Sequence, residues 1–262
     1  MERREAVSPF EKLSNFRDAG GLATADGRTL RTGMLFRSDD PSRMSGLDVL
    51  KLREFELKLI CDLRSPKESR KKPPRLAPEM AIHVVNIPLH DPETHDVSRT
   101  RMLGFLFGKT GGERFLEFCR GYYHHLAFER MFRVREVFTL LAAEDSFPAL
   151  IHCTAGKDRT GLVTALIQLL VGVPYELVRE DYLRTNEYFR VRLERLIRVT
   201  RAVTLHQVST ERMRVLMAAH PELLDGVYGE IVRKYGSVER YLLAGCEVDP
   251  GTLREIRSRL LA

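Results

Sequence analysis

The stretch His152-Cys153-Thr154-Ala155-Gly156-Lys157-Asp158-Arg159-Thr160-Gly161 sets a thiol six residues before a guanidinium. A short apolar run, Pro148 to His152, precedes it, and Leu162, Val163, Ala165, Leu166, Leu169 and Leu170 recur behind it at helical spacing. The spacing predicts a strand, a tight loop and a helix, with Cys153 at the helix N-terminus. Backbone N–H groups from Thr154 to Thr160 then lack intrahelical partners, and consecutive amides folded about a point form an anion-binding nest. That positive field, with Lys157 and Arg159, favours the thiolate of Cys153. The planar fork of Arg159 suits two oxygens of one phosphate. The chemistry this points to is attack of Cys153 on phosphorus, loss of an alcohol, and hydrolysis of the cysteinyl-phosphate by water. Substrate would be held by Thr154, Ala155, Gly156, Lys157 and Thr160, with Gly156 where backbone approaches the anion and Gly161 opening the helix.

With these flanking residues the loop resembles that of the cysteine-dependent phosphatases, and within them the bacterial tyrosine/serine phosphatase family, whose loop reads His-Cys-x-Ala-Gly-Lys-Asp-Arg-Thr-Gly. Asn15-Phe16-Arg17-Asp18, Leu35-Phe36-Arg37-Ser38, Asp62-Leu63-Arg64-Ser65, Asp181-Tyr182-Leu183-Arg184-Thr185-Asn186 and Tyr235-Gly236-Ser237-Val238 are similar to that family's signatures, in its order. The resemblance covers nearly the whole chain. It implies a protein tyrosine phosphatase with serine/threonine activity, lipid phosphatase activity in some members, and an α-helical lid over the pocket. Lys157 resembles the lysine in the loops of phosphoinositide phosphatases, and an added ammonium favours substrates with more than one phosphate. Phosphotyrosine, phosphoinositides and inositol phosphates therefore stand as alternative substrates. Two rivals remain beside them: a sulfur-transferring domain of the rhodanese type, which the Arg159-Thr160 ending argues against, and an inactive module that binds phosphorylated ligands.

Each chemical step needs a proton handler, and a carboxyl group suits both. Asp91, in Asn86-Ile87-Pro88-Leu89-His90-Asp91, follows a predicted strand, and in related dual-specificity phosphatases the acid lies on a loop of this kind. Asp158 lies in the cysteine loop itself and is the second candidate; it could instead steady Lys157. Asp62 reads as a structural partner of Arg64 or Arg17. The chain has no tryptophan, so the Trp-Pro-Asp loop of the large eukaryotic tyrosine phosphatases is absent. Thr160 is placed to hydrogen-bond the leaving sulfur or to cap the helix, and His152 to order the loop through backbone contacts. Cys61 could reach Cys153 on oxidation, or strand alternation could turn it away. His90, His95, His124 and His125 show no metal-ligand spacing, and the mechanism calls for no metal or other cofactor.

The elements that must hold these groups can be read around them. Asp26-Gly27 between Leu22-Ala23-Thr24 and Thr29-Leu30-Arg31 predicts a small hairpin leading to a strand at Met34-Leu35-Phe36. Ser45 with Asp48 predicts a helix start, running to about Phe55. Glu56 falls where a tight-turn glycine is expected. Strands follow at Leu57–Leu63 and Ile82–Ile87, and from Tyr175 onward the chain reads as helix. Alternating strands and helices predict an α/β fold: a central mostly parallel sheet flanked by helices, of the cysteine-phosphatase type, with a helical C-terminal region. Ligands of such sheets collect outside the strands' carboxyl ends, where Asp62, Asp91 and Cys153 fall. Residues 1–262 read as one domain, with lid elements within 92–125 and 176–220, the stretch Thr94 to Gly121 standing as either a mobile flap or a packed insertion. Arg192, Arg195, Arg198 and Arg201 recur every third residue, as a solvated helix face or a basic stripe for a polyanionic head group or a membrane surface.

Composition bounds the function. At 262 residues and 44% hydrophobic content the chain can bury a full core. No run approaches the roughly 18 apolar residues of a membrane span, and Met1-Glu2-Arg3-Arg4-Glu5 lacks the apolar stretch of a signal peptide, so a cytoplasmic location is expected. The four cysteines are scattered without disulfide-framework spacing. The net charge of +6 favours anionic substrates slightly, but no tract of clustered basic and aromatic residues marks nucleic-acid binding.

Overall fold

The computed structural model describes residues 8–90, 99–109 and 111–262. Its sheet contains β1 (Arg17–Asp18), β2 (Leu35–Ser38), β3 (Leu59–Asp62), β4 (His83–Asn86) and β5 (Ala149–His152), in the order β1-β2-β5-β3-β4. β1 runs antiparallel to β2, and every other neighbouring pair is parallel. The expected architecture is present.

Alternation along the three inner strands builds two apolar layers. Leu35, Leu59, Cys61, Ala149 and Ile151 face the larger one. Phe36, Ile60 and Leu150 face a smaller one with Leu13, Phe16 and Met44. All four residues of β5 are buried, as a strand covered on both faces requires. Register does the rest: Ser38 of β2 and Asp62 of β3 both pair with His152. Three strands thus end level, one residue before Cys153.

The helices are α1 (Gly46–Leu52), α2 (Pro66–Lys71), α3 (Arg99–Leu106), α4 (Gly112–His124), α5 (Met131–Ala142), α6 (Asp158–Leu170), α7 (Tyr175–Leu183), α8 (Thr185–Val203), α9 (Thr210–Met217), α10 (Pro221–Tyr235), α11 (Val238–Arg240) and α12 (Pro250–Leu260). Ser45 and Asp48 form the expected capping box on α1, and Ser65 and Glu68 form another on α2. After α1 a single 3-10 turn, Arg53–Phe55, ends on Glu56 at φ 47°, the left-handed position that glycine would have taken more easily.

Three local readings are refined. The hairpin around Gly27 is short, with the Thr24 N–H donating to Arg28 O, the Leu30 N–H to Leu22 O and the Gly21 N–H to Leu30 O, and its second arm also meets the end of the chain, where Leu30 bridges to Leu261 and Thr29 exchanges backbone bonds with Ala262. α6 begins at Asp158, so Gly161 lies inside its first turn. A Cβ on Gly161 would lie 2.9 Å from Cδ2 of Tyr182, which makes close packing against α7 the reason for glycine there. The arginine stripe on α8 divides, because steps of three advance only 300° and the series winds around the helix: Arg192 pairs with Asp39 and Arg201 donates to Thr210, while Arg195 and Arg198 are exposed.

Candidate active site

Cys153 leaves β5 at the level end of the sheet and is 2% exposed. The Gly156 N–H donates to its Sγ at 3.2 Å, so a backbone amide of the nest already faces the sulfur. Gly156 has φ 63°, and a Cβ on it would lie 2.3 Å from the carbonyl oxygen of Ser38. No other residue fits this position without moving β2.

The outer side of the loop is tied down by donors. Asn15 Nδ2 donates to the carbonyls of Ala155 at 3.1 Å and Gly156 at 2.8 Å, and Arg37 Nη2 donates to Gly156 O at 2.9 Å. Carbonyls drawn outward leave their peptide N–H groups facing the cup. Beneath lies a buried cluster: Arg17 Nε and Arg37 Nη1 each meet a different oxygen of Asp181 at 3.1 Å, and Arg17 also reaches Asn15 Oδ1, the Asp181 carbonyl and Thr185 Oγ1. Burial pushes the Asp181 carboxyl up, but Arg17 and Arg37 outweigh it and hold the pKa below the ordinary value. Burial brings Arg37 down to about 10, helped by the charge of Arg17. Two guanidiniums against one carboxylate leave positive charge under the loop, which favours an anion above it.

Arg159 does not hang free. Its Nη1 donates to Glu68 Oε2 at 3.1 Å and to Leu63 O at 3.4 Å, and its Nη2 donates to Thr154 Oγ1 at 3.1 Å. The Thr154 hydroxyl in turn donates to Glu68 Oε1 at 2.6 Å. Burial raises the Glu68 carboxyl, but Arg159, Thr154 and the Ser65 amide bring it down to about 2. Burial works against the charge on Arg159, yet the facing Tyr122, Cys153 and Glu68 raise its pKa on balance. Sequence reasoning missed Glu68. The trace it left was the Ser65-x-x-Glu68 capping box, which reads only as a helix start.

Asp62 is the structural carboxylate it was expected to be. It accepts from Arg64 Nε at 2.9 Å and Nη2 at 2.8 Å, and Arg64 Nη1 goes on to Asp40 at 2.8 Å. His152 joins this layer, with Nδ1 3.2 Å from the Cys153 carbonyl and Nε2 3.6 Å from Asp62 Oδ1. Burial lowers its pKa, as suits a neutral ring that orders the loop.

Lys157, expected among the substrate-binding residues, reaches toward α9. Its Nζ lies 3.0 Å from the carbonyls of Leu216 and Ala218, at the C-terminal end of α9, and 3.7 Å from Asp158 Oδ1. The ammonium is committed to the helix-end carbonyls, which carry the negative end of that helix. Asp158 accepts from the Tyr123 hydroxyl at 2.8 Å, and Tyr123 shares a second bond of 2.7 Å with Tyr182. Thr160 is fully buried, and its Oγ1 has no partner among the described residues. Asp91 lies outside the described residues.

Residues 8–262 match the model of the tyrosine phosphatase family. The chain belongs to that family. The triple specificity protein phosphatase PtpB of Mycobacterium tuberculosis is 31% identical over 282 residues, covering 98% of this chain and 99% of that protein. A Cupriavidus necator protein that carries a tyrosine-protein phosphatase name is 31% identical over 252 residues, covering 94% of this chain and 86% of its own. Among solved structures, the core catalytic domain of the PP-IP phosphatase Siw14 from S. cerevisiae aligns with 69% of this chain and 78% of its own, at 17% identity and a TM-score of 0.36.

The rim of the cup adds aromatic groups. His90, 7% exposed, stands edge-on to Tyr122 with ring centroids 5.2 Å apart and to His125 at 5.8 Å. Burial, aided by the charge of Arg159, lowers His90 to about 4, so the ring is neutral at physiological pH. Tyr122 is raised by burial, although Arg159 pulls it back. His90 and Tyr122 thus face Arg159 as uncharged rings.

Proposed function

We propose that the chain hydrolyses phosphate monoesters through a phosphocysteine at Cys153, with phosphotyrosine in proteins as its leading substrate and phosphoserine and phosphothreonine accepted as well. The observation that carries this is the Gly156 N–H on the Cys153 sulfur inside a loop whose carbonyls are tied outward. In the first step the thiolate attacks phosphorus in line and the P–O bond to the alcohol breaks, the leaving oxygen taking a proton from a carboxylic acid. In the second, that carboxylate takes a proton from water, the oxygen attacks phosphorus, and the P–S bond breaks to restore the thiolate. The amides from Thr154 to Thr160 and the fork of Arg159 bind the non-bridging oxygens as charge builds on them. The Thr160 hydroxyl, without another partner, is available to the departing sulfur.

Two carboxylates compete for the proton role. Asp91 follows β4 in the chain, and Asp158 heads α6 with its oxygen oriented by Tyr123. Asp91→Asn and Asp158→Asn separate them: loss of the true acid slows alkyl phosphates far more than aryl phosphates, because phenols leave without help. The bonding of Lys157 to Leu216 and Ala218 favours singly phosphorylated substrates over inositol phosphates, since the ammonium must leave two carbonyls to meet a second phosphate. We take the chain as one phosphatase domain and α3, α8 and α9 as its lid. Support comes from their own small core of Ile197, Val208 and Met213, with Leu106 and Leu193 against it. Among the described residues no helix is long and apolar enough to cross a membrane, and we place the enzyme in the cytoplasm, acting on phosphorylated proteins and not on nucleic acid.

The test is phosphate release in the presence of chelator from phosphotyrosine, phosphoserine and phosphothreonine peptides and from a phosphoinositide series, wild type against Cys153→Ser. Release concentrated on the peptides and lost in the variant supports the reading. Preference for the lipids moves the substrate class to phosphoinositides. Binding without release from any of them contradicts it.

A further inference from the structure

The outer side of α8 is built for something the reaction does not use. Phe189 and Ile197 point inward and are buried, whereas Val191, Val199 and Val203 are 71%, 55% and 78% exposed, and Leu205, just past the helix, is 80% exposed. On a helical wheel Val191, Arg195, Arg198, Val199 and Ala202 share an arc of about 100° opposite the buried side. Arg195 and Arg198 make no ion pair or hydrogen bond among the described residues, while Glu194 is already paired with Arg214 and Glu187 lies at the edge of the arc. The turn that follows is unusual. Leu205 and His206 have φ of 48° and 64°, two successive non-glycine residues in the left-handed region, closed by the His206 N–H donating to Arg201 O at 2.7 Å. Backbone in that region is costly for a leucine, and here the outcome is a leucine held out in solvent.

We propose that this face docks the enzyme on anionic bilayers. Arg195 and Arg198 meet headgroup phosphates or carboxylates, and Val199, Val203 and Leu205 seat at the acyl boundary, as on an interfacial amphipathic helix. Charge complementarity selects this occupant: a second copy of the chain on a two-fold axis would set the same unpaired arginines against one another. The position of α8 agrees. Arg192 pairs with the buried Asp39 next to Ser38, whose carbonyl meets Gly156, and Asn186 Nδ2 and Oδ1 hold the backbone of Ala219 beside the Lys157 contacts. The face that docks is thus the side of α8 turned away from these contacts. The proposal goes beyond the phosphatase reading and does not depend on which phosphate ester is cleaved.

The experiment is sedimentation of the full chain with sucrose-loaded vesicles of phosphatidylcholine alone and of phosphatidylcholine with phosphatidylserine, at low and high salt. The expected result is cosedimentation with the anionic vesicles only, weakened by salt. It should fall about 30-fold in Arg195→Ala/Arg198→Ala, at roughly a fivefold loss for each cation removed, and be lost in Val199→Asp/Val203→Asp. Hydrolysis of a small soluble aryl phosphate should be unchanged in both variants. No sedimentation of the wild type, equal sedimentation with neutral vesicles, or variants that sediment like wild type would overturn the proposal. So would light scattering that shows a dimer dissolved by Val199→Asp/Val203→Asp.

Discussion

At the scale of single residues the site turns on how Arg159 is held. Glu68 and Thr154 occupy its fork from the side, so the guanidinium is oriented before substrate arrives and its side-chain entropy is already lost. Glu68→Ala should lower kcat/KM on an aryl phosphate about 10- to 100-fold, the worth of one charge-assisted hydrogen bond. The fold should survive, because the Glu68 side chain is 37% exposed; a melting curve and initial rates check both halves. The same pair sets an acid limit. The Glu68 pKa falls from 4.5 to about 2 on folding, so the contribution of its ionised form is complete above about 4.5 and is lost as pH drops toward 2. Wild type should lose thermal stability across that window more steeply than Glu68→Gln, whose side chain does not titrate. Cys153, Gly156 and Arg159 were legible because the loop is local and each residue type has one physical use there. Glu68 was not, because it comes from 91 residues away and its local role as a capping residue conceals the distant one.

The elements show what the longer motifs are for. Asp181-Tyr182-Leu183-Arg184-Thr185-Asn186 spans the end of α7 and the start of α8 and acts along its length: Asp181 and Thr185 take Arg17, Tyr182 packs on Gly161, and Asn186 clamps Ala219. Resemblance marked this stretch in the sequence, but spacing alone gave it no role, since its partners lie in the first strands, in α6 and in the α9–α10 connection. Asp181→Asn should leave two buried guanidiniums facing each other and cost about 3–5 kcal/mol of stability, as loss of one partner from a buried ion pair does. Chemical denaturation measures it, and a change below 1 kcal/mol would mean that the cluster is solvated. The helix start at Ser45 was readable from capping chemistry; the one at Ser65 carries the same kind of cap but was not read. The hairpin at Gly27 was readable from its turn and flanking residues, whereas the bridge from its second arm to Leu261, a contact across the whole chain, was not. The partners of Lys157 were unreadable for a related reason: the loop sequence shows a cation but not the two carbonyls that α9 brings to it.

Over the whole molecule, the parallel order of β2, β5 and β3 and their level ends convert a sequence pattern into a site, with Ser38, Asp62 and Cys153 meeting at one edge of the sheet. That architecture was legible because strand and helix periods alternate cleanly through the first 170 residues. The face of α8 was legible only as charge, since which arginines are paired depends on tertiary contacts. The net charge of +6 and the two buried arginines beneath the loop predict that KM for a phosphate monoester rises with ionic strength while kcat holds; a steady-state salt series checks it, and a salt-independent KM would show that local hydrogen bonds alone bind the anion. The most direct test of the account is to quench turnover of an aryl phosphate in acid and map phosphate on the protein by peptide mass spectrometry. Phosphate on the peptide bearing Cys153, absent from Cys153→Ser along with turnover, is the predicted result; turnover that persists in Cys153→Ser, or a phosphoryl group found elsewhere, would contradict it.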